Sequence, residues 1–337
     1  MSSTKNSPPI LALTMGDVNG VGPEVLARAL AHERMRGLCS PVVFGSASAL
    51  EWARRFVPDC PRPVPVDDFG QAALVRDGVP VMEWGSPGPA VVPGRLDPDA
   101  GRAAVVWIEA AVRAALSGAV RGMVTGPISK ECVIQAGCPH TGHTTLIAAM
   151  TGSPDYRMCL FAGGMRIVHI TAHLSLRDAI EQVKTDRILR SALLANDTLL
   201  KLGIAAPRIA VAGLNPHAGE AGTFGREEIE EIGPAVLSAV ARGVDCSGPH
   251  PPDTVFRRMH LGEFDAVIAM YHDQGHIPLK LLAMDDGVNV TLGIPIIRTS
   301  VDHGTAYDIA GKGLARGHSM LAAVSLAAQL ADKGFGE

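Results

Sequence analysis

The sequence predicts an α/β fold in which helices flank mostly parallel sheets. Two observations lead to this prediction: short apolar runs alternate with helical patterns along almost the whole chain, and several helical patterns carry residues that start or end a helix. Such alternation is typical of β-α units, because parallel strands need a crossover between them, usually a helix. At 337 residues the chain is long enough for about two such domains.

The predicted strands are short, apolar and bounded by turn residues. They span residues 10–15, 41–46, 79–84, 121–126, 165–171, 208–214, 265–271 and 288–293. The predicted helices have the longer 3.6-residue pattern. They span residues 23–31, 98–116, 186–202, 227–242 and 319–331. Asp97 before Pro98 is a helix start signal, and Gly118, Gly203 and Gly243 are stop signals.

Composition excludes several classes of function. The net charge is -4 without a basic block, and aromatic residues make up 4%, so nucleic acid is not an expected partner. The amino terminus lacks the apolar core of a signal peptide, and no apolar run reaches the length of about 20 residues that a membrane helix needs. The six cysteines are scattered without a C-x-x-C pair, which predicts reduced thiols and a cytoplasmic protein.

Three histidines share one placement in the predicted fold. His173, His217 and His272 each come just after a predicted strand, at the edge of the sheet where open α/β folds bind ligands. Three imidazoles with an open fourth position would suit a catalytic divalent ion, most naturally zinc. Neighbouring carboxylates and amides in NPHAGE and YHDQGH could orient the rings. The alternative is that each histidine only caps a loop.

A second group of residues indicates an anion site. The segment Gly142-His143-Thr144-Thr145 resembles a turn entering a helix, whose free N–H groups favour a phosphate or carboxylate. Lys280, Asn289 and Arg298 are predicted on or beside later strands, where the two cations could bind the same anion. Lys280 also lies in the apolar segment IPLKLLA, where an unpaired lysine would be costly. Surface charge for Lys280 and a structural ion pair for Arg298 are the alternatives.

The usual nucleotide fingerprints are missing. No G-x-G-x-x-G follows a strand, and there is no Walker A lysine. The glycine-dense loop at residues 302–313, DHGTAYDIAGKG, would let a dinucleotide approach the backbone closely. Composition alone favours an ordinary surface loop there.

The chain resembles the 4-hydroxythreonine-4-phosphate dehydrogenases of vitamin B6 biosynthesis and their close relatives. Seven ordered motifs carry the resemblance: GDVNGVGPE, TGPISKE, TGHTTL, ITAHLSLRDAI, GLNPHAGEAGTFGREE, MYHDQGHIPLK and VNVTLGIPIIRTSVDHGTAYDIAGKG. The first motif and the glycine-dense loop are also similar to the isopropylmalate dehydrogenases, in which that loop holds the adenosine side of NAD. The resemblance therefore implies a nicotinamide cofactor, NAD or NADP.

The resemblance also assigns residues to the site. It places the metal ligands on His173, His217 and His272, with zinc, magnesium, manganese or cobalt as the ion. It places substrate binding on His143, Thr144, Lys280, Asn289 and Arg298. Asp253 in PPDTVF matches an acidic position near the reacting carbon, so Lys280 and Asp253 are the residues expected to transfer protons. The cofactor loop would contribute His303, Gly304, Thr305, Asp308 and Gly311.

The implied architecture is two α/β/α lobes of the isopropylmalate dehydrogenase type, with the active site in the cleft between them. Residues 1–125 and 300–337 are expected to form the first lobe, and residues 126–299 the second lobe with the metal site and the dimer interface. The resemblance further implies a homodimer in which the partner chain completes each metal site.

The expected reaction is NAD-dependent, metal-assisted oxidation and decarboxylation of 4-hydroxythreonine-4-phosphate. Two departures leave the substrate open: Val18-Asn19 replace the usual residues of the first motif, and His276-Ile277-Pro278 resemble a branch acting on D-threonate or D-erythronate 4-phosphate. A further branch oxidises a dihydrodiol derived from terephthalate. His143, Thr144 and Arg298 favour a phosphorylated substrate. A metal hydrolase is the alternative enzyme, and a metabolite-binding dimer is the non-catalytic alternative.

Overall fold

The computed structural model describes residues 7–85, 88–283 and 287–334. Its strands are β1 Ile10–Thr14, β2 Ser40–Phe44, β3 Pro63–Val66, β4 Val79–Met82, β5 Gly122–Thr125, β6 Arg157–Ala162, β7 Met165–His169, β8 Ile209–Ala212, β9 Cys246–His250, β10 Ala266–Ala269, β11 Val288–Leu292 and β12 Arg298–Val301. Its α-helices are α1 Gly22–Ala31, α2 Ala47–Arg54, α3 Phe69–Leu74, α4 Pro98–Leu116, α5 Lys130–Gln135, α6 His143–Met150, α7 Leu176–Glu181, α8 Thr185–Lys201, α9 Gly233–Val240, α10 Val255–His260, α11 His272–Ala283 and α12 His318–Asp332.

The chain forms two compact units. The first contains the described residues up to Pro154 and those from Ile294 onward, and the second contains Asp155–Gly293. The predicted lobe boundaries, 125/126 and 299/300, differ from these. Helices α5 and α6 pack against α4, and this contact places residues 126–154 in the first unit.

The first unit is built on a parallel sheet with the strand order β3-β4-β2-β1-β5-β12. Every neighbouring pair in this order is parallel. Helices α4 and α12 pack on the sheet, and Trp107 of α4 is fully buried there. Parallel strands covered by helices are apolar along their whole length, which explains the continuous apolar runs in the sequence.

The second unit has a mixed sheet with the strand order β11-β6-β7-β10-β8-β9. Strand β6 is antiparallel to both β11 and β7, whereas β7, β10, β8 and β9 run parallel. Its apolar core includes Ile167 of β7, Val267 of β10 and Leu279 of α11. The α/β class with mostly parallel strands is therefore confirmed.

All eight predicted strands and four of the five predicted helices are present with ends within two residues of the predicted ones. The helix predicted at 227–242 is divided into a π-helical turn, Glu228–Ile232, and α9. Asp97 caps α4 by accepting a hydrogen bond from the Asp99 N–H at 2.9 Å. Gly118, Gly203 and Gly243 follow their helices with positive φ values of 75°, 86° and 82°, as stop signals require.

Four strands were not predicted from the sequence: β6, which is apolar (RMCLFA), and β3, β9 and β12, which lack a clear apolar pattern. Proline interrupts β3 and β9, and both lie at an edge of their sheet, where a missing N–H is tolerated. Strand β12, RTSV, is polar yet buried. Within the described residues, no helix is both long and apolar enough to cross a membrane. The six cysteines form no disulfide.

Candidate active site

The three predicted metal ligands follow three adjacent parallel strands. His173 comes after β7, His217 after β8, and His272 begins α11 directly after β10. In the sheet these strands lie in the order β7-β10-β8, so their carboxyl ends share one edge. The strand placement expected from the sequence is therefore what the structure shows.

Two of the three imidazoles are neighbours. The ring centroids of His173 and His272 lie 5.8 Å apart. His217 has its nearest ring contact with Phe224, at 6.4 Å. Among the described residues, no group of three histidine, cysteine, aspartate or glutamate side chains lies close enough to hold a metal ion. The metal roles of these histidines therefore stay predictions.

His272 is oriented by its surroundings. Its Nδ1 is 2.7 Å from Oδ1 of Asp273, so the carboxylate accepts a hydrogen bond from that nitrogen, and Nε2 is then the nitrogen with a lone pair for a metal ion. Gln274 is buried and accepts from the Met270 N–H at 2.7 Å while donating to the Gly213 carbonyl at 2.8 Å. The Gln274 side chain therefore connects the end of β10 with the end of β8. The segment that carries His272 begins at the first of these ends, and the segment that carries His217 begins at the second.

Two further histidines extend this cluster. The ring of His276 stacks on His272 with centroids 3.6 Å apart and planes 12° apart, and its Nδ1 donates to the His272 carbonyl at 3.0 Å. His169, the last residue of β7, lies 4.7 Å from His276 and is almost fully buried. Burial and then the neighbouring histidines lower the pKa of His169 to about 3, so this ring is neutral at physiological pH.

The segment that carries His217 has a rare backbone. Five consecutive residues, His217–Ala221, have φ between 42° and 77°, and only Gly219 is a glycine. A left-handed conformation costs about 1–2 kcal/mol for each residue with a Cβ. The His217 side chain is exposed at the start of this left-handed turn. Strain of this kind persists only where surrounding contacts impose it.

The predicted anion site is partly assembled in the first unit. His143 begins α6, as the sequence indicated, and its Nε2 is buried with no hydrogen-bond partner. Arg298 is buried at the start of β12, and its Nη2 donates to Thr125 Oγ1 at 2.9 Å. Thr144 is the second residue of α6.

His143 and Arg298 differ in charge at neutral pH. Burial, followed by the charge of Arg298, lowers the pKa of His143 well below its usual value. Burial lowers the pKa of Arg298 to about 10, which still leaves the guanidinium charged at neutral pH. A neutral imidazole that can donate beside a buried cation is suited to a phosphate.

The remaining predicted substrate residues belong to the second unit. Asn289 lies on β11 as expected, and its Oδ1 is buried without a partner. Lys280 lies on helix α11, so its predicted place on or beside a strand is wrong. The apolar segment around Lys280 predicted a buried side chain, but this side chain is exposed. Asp253 is exposed between β9 and α10.

The predicted cofactor loop packs on the GDVNGVGPE segment of the first unit. The Gly311 N–H donates to Oε1 of the fully buried Glu24 at 2.6 Å, and the Val21 N–H donates to the Thr305 carbonyl at 2.9 Å. His303 and Asp308 are exposed. A Cβ on Gly304 would meet no atom within 4 Å, so a ligand can approach the backbone there.

A buried pair holds the middle of this loop. The Tyr307 hydroxyl donates to Asp17 Oδ2 at 2.6 Å, and the Asn19 N–H donates to Asp17 Oδ1 at 2.9 Å. Burial is the main cause that raises the pKa of both Asp17 and Tyr307. Hydrogen bonds therefore join the GDVNGVGPE segment to the loop at residues 302–313, the two motifs that resemble isopropylmalate dehydrogenases.

Sequence reasoning missed several residues that shape these sites. Asp17 and Glu24 stand in the recognised GDVNGVGPE motif, which could have identified them. His276 follows His272 by four residues, the spacing of one helix face, but α11 was not predicted. His169 lies inside the predicted strand 165–171 and gives no signal of its own.

Comparison with known proteins places the chain in a family. The family model described as pyridoxal phosphate biosynthetic protein PdxA matches residues 37–327. The chain is 43% identical to D-threonate 4-phosphate dehydrogenase of Cupriavidus necator, over 96% of this chain and 98% of that protein. It is 44% identical to 4-hydroxythreonine-4-phosphate dehydrogenase of Desulfosudis oleivorans, over 96% of each.

A solved structure agrees with the sequence comparison. The crystal structure of 4-hydroxythreonine-4-phosphate dehydrogenase from Klebsiella pneumoniae is similar with a TM-score of 0.85 and 42% identity, covering 96% of this chain and 99% of that one. PdxA dehydrogenases in general imply a nicotinamide cofactor and a divalent metal ion. The chain belongs to the PdxA family and is an oxidoreductase that acts on a CH–OH group.

Proposed function

We propose that this protein oxidises the secondary alcohol of a four-carbon, 4-phosphorylated hydroxy acid with NAD, and that the β-keto acid so formed loses carbon dioxide. The observation that carries the proposal is the placement of His173, His217 and His272 after three adjacent parallel strands, with His272 oriented by Asp273. The alcohol carbon gives a hydride to the nicotinamide, and the hydroxyl proton leaves to a base.

The spacing of two of the three histidines fits a divalent metal ion. A zinc ion binds an imidazole nitrogen at about 2.0–2.1 Å, so the ring centres of two ligands of one tetrahedral ion lie about 5 Å apart. The 5.8 Å between His173 and His272 is close to this separation. His217 would be the third ligand. The partner chain of a homodimer would complete each metal site. When bound, such an ion supplies polarisation of the alcohol oxygen and a lower pKa for it.

His143 and Arg298 would hold the substrate phosphate. The orphaned Nε2 of His143 supports this role, because a buried donor without a partner is rare unless a ligand satisfies it. The Arg298 guanidinium supplies charge, and Thr144 adds a helix-start N–H. Phosphate bound at these residues would align the reacting carbon, which lies at the other end of the substrate.

Lys280 and Asn289 are the other two residues proposed to bind the substrate. The buried Oδ1 of Asn289, which has no partner, can accept a hydrogen bond from a substrate hydroxyl or amine. Lys280 and Asp253 are the proposed proton-transfer residues, since both are exposed titratable groups on segments of the second unit.

The loop at residues 302–313 would bind NAD. His303, Gly304, Thr305, Asp308 and Gly311 are the proposed contacts, and the open space at Gly304 supports a close approach of the cofactor. NADP is the alternative, because no residue has been assigned to the ribose 2′ position.

A homodimer is proposed from the apolar surface of the second unit. Leu281 and Ile277 on α11 expose 82% and 64% of their surface, and Leu176 on α7 exposes 58%. Large exposed apolar side chains are typical of a subunit interface. Since α11 begins at His272, an interface here would bring the partner chain to the metal ligands. A cytoplasmic location remains a prediction from the reduced cysteines.

Two substrates fit this chemistry. 4-Hydroxythreonine-4-phosphate carries an amine where D-threonate 4-phosphate carries a hydroxyl, and similar relatives are named for each. Neither substrate changes the roles proposed for the phosphate and metal sites. The amine would be charged, so it would require a carboxylate that the sugar acid does not.

Nicotinamide reduction tests the proposal. The purified protein is supplied with Zn²⁺, NAD and, in separate reactions, each phosphorylated acid and a terephthalate-derived dihydrodiol. We expect reduction with at least one phosphorylated acid and none with the diol. Absence of reduction with every phosphorylated acid, together with no thermal stabilisation by NAD, would refute the dehydrogenase and favour a metal hydrolase.

A further inference from the structure

The left-handed turn His217–Ala221 needs an external constraint to persist. Residues other than glycine are disfavoured at positive φ, because Cβ comes close to the following carbonyl oxygen. His217, Ala218, Glu220 and Ala221 all adopt it, with φ of 52°, 55°, 42° and 54°. Four residues with a disfavoured conformation within a five-residue turn require surrounding contacts that impose this conformation.

Glu228 provides such contacts before the turn. Its side chain is 5% exposed. Oε1 accepts hydrogen bonds from the Leu214 N–H and the Asn215 N–H, both at 2.8 Å. Oε2 accepts from Asn215 Nδ2 at 3.0 Å. The carboxylate thereby fixes the backbone of the two residues that lead from β8 into the turn.

The same carboxylate also contacts the middle of the turn. A Cβ on Gly219 would lie 2.6 Å from Glu228 Oε2, so only glycine allows this approach. Burial opposes ionisation of Glu228, but hydrogen bonds from Asn215 and Leu214 outweigh it and lower the pKa of the carboxyl. Glu228 is therefore an anion. It accepts hydrogen bonds from the backbone of Leu214 and Asn215, and it leaves no room for a side chain at position 219.

The carboxyl-terminal end of the turn is held by its own backbone. The Thr223 N–H donates to the Glu220 carbonyl at 3.1 Å, and the Phe224 N–H donates to the Gly219 carbonyl at 3.2 Å. The His217 ring projects from the turn with its side chain exposed and with Phe224 as its ring neighbour. Hydrogen bonds therefore hold the turn at both ends, and the imidazole of His217 extends from it.

We propose that Glu228 is a positioning residue for His217: its carboxylate holds the left-handed turn, and the turn presents the imidazole to the divalent ion. This inference rests on the proposed metal role of His217. Glu228 itself need not touch the ion, the substrate or the cofactor.

Zinc binding to the metal-free full-length protein tests the inference. Isothermal titration with Zn²⁺ compares wild type, Glu228→Gln and, as the matched control, Glu230→Gln, whose exposed carboxylate pairs with Arg226. We expect Glu228→Gln to weaken Zn²⁺ binding about tenfold or more, in the range found when groups that orient a metal ligand are removed. Glu230→Gln should match wild type. Wild-type Zn²⁺ affinity in Glu228→Gln would overturn the inference.

A parallel His217→Ala titration separates this inference from the proposed function. If His217→Ala keeps wild-type Zn²⁺ affinity, the metal role of His217 is wrong. If His217→Ala binds weakly and folded Glu228→Gln binds normally, only the positioning role is wrong. Should Glu228→Gln fail to fold, Asn215→Ala removes the side-chain donor that Glu228 shares with Glu227, and Glu227→Gln is its control. Weaker Zn²⁺ binding in Asn215→Ala than in Glu227→Gln supports the role, and unchanged binding in Asn215→Ala contradicts it.

The strain itself is tested by relieving it. Ala221 and Ala241 are both exposed alanines of the second unit, with φ of 54° and −62°. Ala221→Gly should raise the thermal midpoint by about 2 °C, and Ala241→Gly should lower it, because glycine is favoured only at positive φ. A decrease in Ala221→Gly as large as that in the control would show that the turn is not strained.

The absorption spectrum of bound Co²⁺ provides a readout that a general loss of stability would not change. We expect the visible bands of Co²⁺-loaded Glu228→Gln to differ from those of wild type, since the geometry at the ion depends on the placement of His217. Bands identical to those of wild type would contradict the positioning role.

Discussion

Two irregular segments of this protein follow strands, and each is held by a buried glutamate. The proposed cofactor loop of the first unit, residues 302–313, is anchored by Glu24, and the left-handed turn of the second unit, His217–Ala221, is anchored by Glu228. Positive φ occurs in the loop at Ala306, Gly311 and Gly313, so two of its three such residues are glycine, whereas Gly219 is the one glycine among the five such residues of the turn. A loop rich in glycine suits close approach of a ligand to the backbone, and a strained turn suits the presentation of one side chain.

The largest expected effect concerns the histidine-bearing segments. His272→Ala should lower the turnover of the phosphorylated substrate at least about a thousandfold, because the metal ion that polarises the alcohol is lost. His260→Ala is the matched control, since His260 is an exposed histidine at the end of α10 in the same unit. Steady-state rates at saturating NAD check the prediction. Turnover within tenfold of wild type in His272→Ala would show that this unit does not hold the catalytic ion.

The next effect concerns the buried cation of the first unit. Arg298→Met should lower kcat/KM for the phosphorylated substrate about a hundredfold, since a buried charged contact to the phosphate is lost. Arg298→Lys should be intermediate, because lysine keeps the charge but cannot form a two-pronged contact. Both variants need circular dichroism to show that β12 still forms. Equal kcat/KM in all three proteins would mean that Arg298 serves the fold alone.

Gly304 and Gly311 of the proposed cofactor loop should respond differently to substitution. Gly311 has φ of 76°, and a Cβ there would lie 2.7 Å from Pro93 Cβ, so Gly311→Ala should lower the free energy of unfolding by about 1–2 kcal/mol. Gly304 has open space, so Gly304→Ala should leave stability unchanged and raise the KM for NAD. Urea unfolding and NAD titration measure the two effects. An unchanged KM for NAD in Gly304→Ala would argue against cofactor binding at this loop.

The smallest expected effect is a pH dependence of stability. Burial lowers the pKa of His143 well below the value of 6.5 that it has in the unfolded chain. As the pH falls below 6.5, the unfolded state takes up a proton that the folded state does not, so this stability is present above that pH and is lost below it. Its slope is at most about 1.4 kcal/mol per pH unit.

His143→Gln removes this contribution. Urea unfolding of the ligand-free proteins at pH 7.5 and 5.5 should show a smaller loss of stability on acidification in the variant than in wild type. Equal losses in the two proteins would show that His143 is not held neutral by burial.

The sequence was sufficient to predict the repeating strands and helices, because a buried parallel strand must be apolar throughout. It was also sufficient to place His173, His217 and His272 at strand ends, since the strands were recognised. It could not reveal Lys280 on a helix, because Pro278 and Gly275 interrupt the helical pattern of α11. It could not reveal Glu228 either: the residue lies 11 positions after His217, and only the folded turn brings its carboxylate to Leu214 and Asn215.

The central claim is that three imidazoles hold one divalent ion at the carboxyl ends of β7, β10 and β8. X-ray absorption at the zinc edge of the Zn²⁺-loaded wild-type protein tests it most directly. The account predicts scattering from three imidazoles, with nitrogen at about 2.0–2.1 Å from the ion, and the loss of one imidazole in His217→Ala. A first shell that contains sulfur at about 2.3 Å, or fewer than three imidazoles, would contradict it.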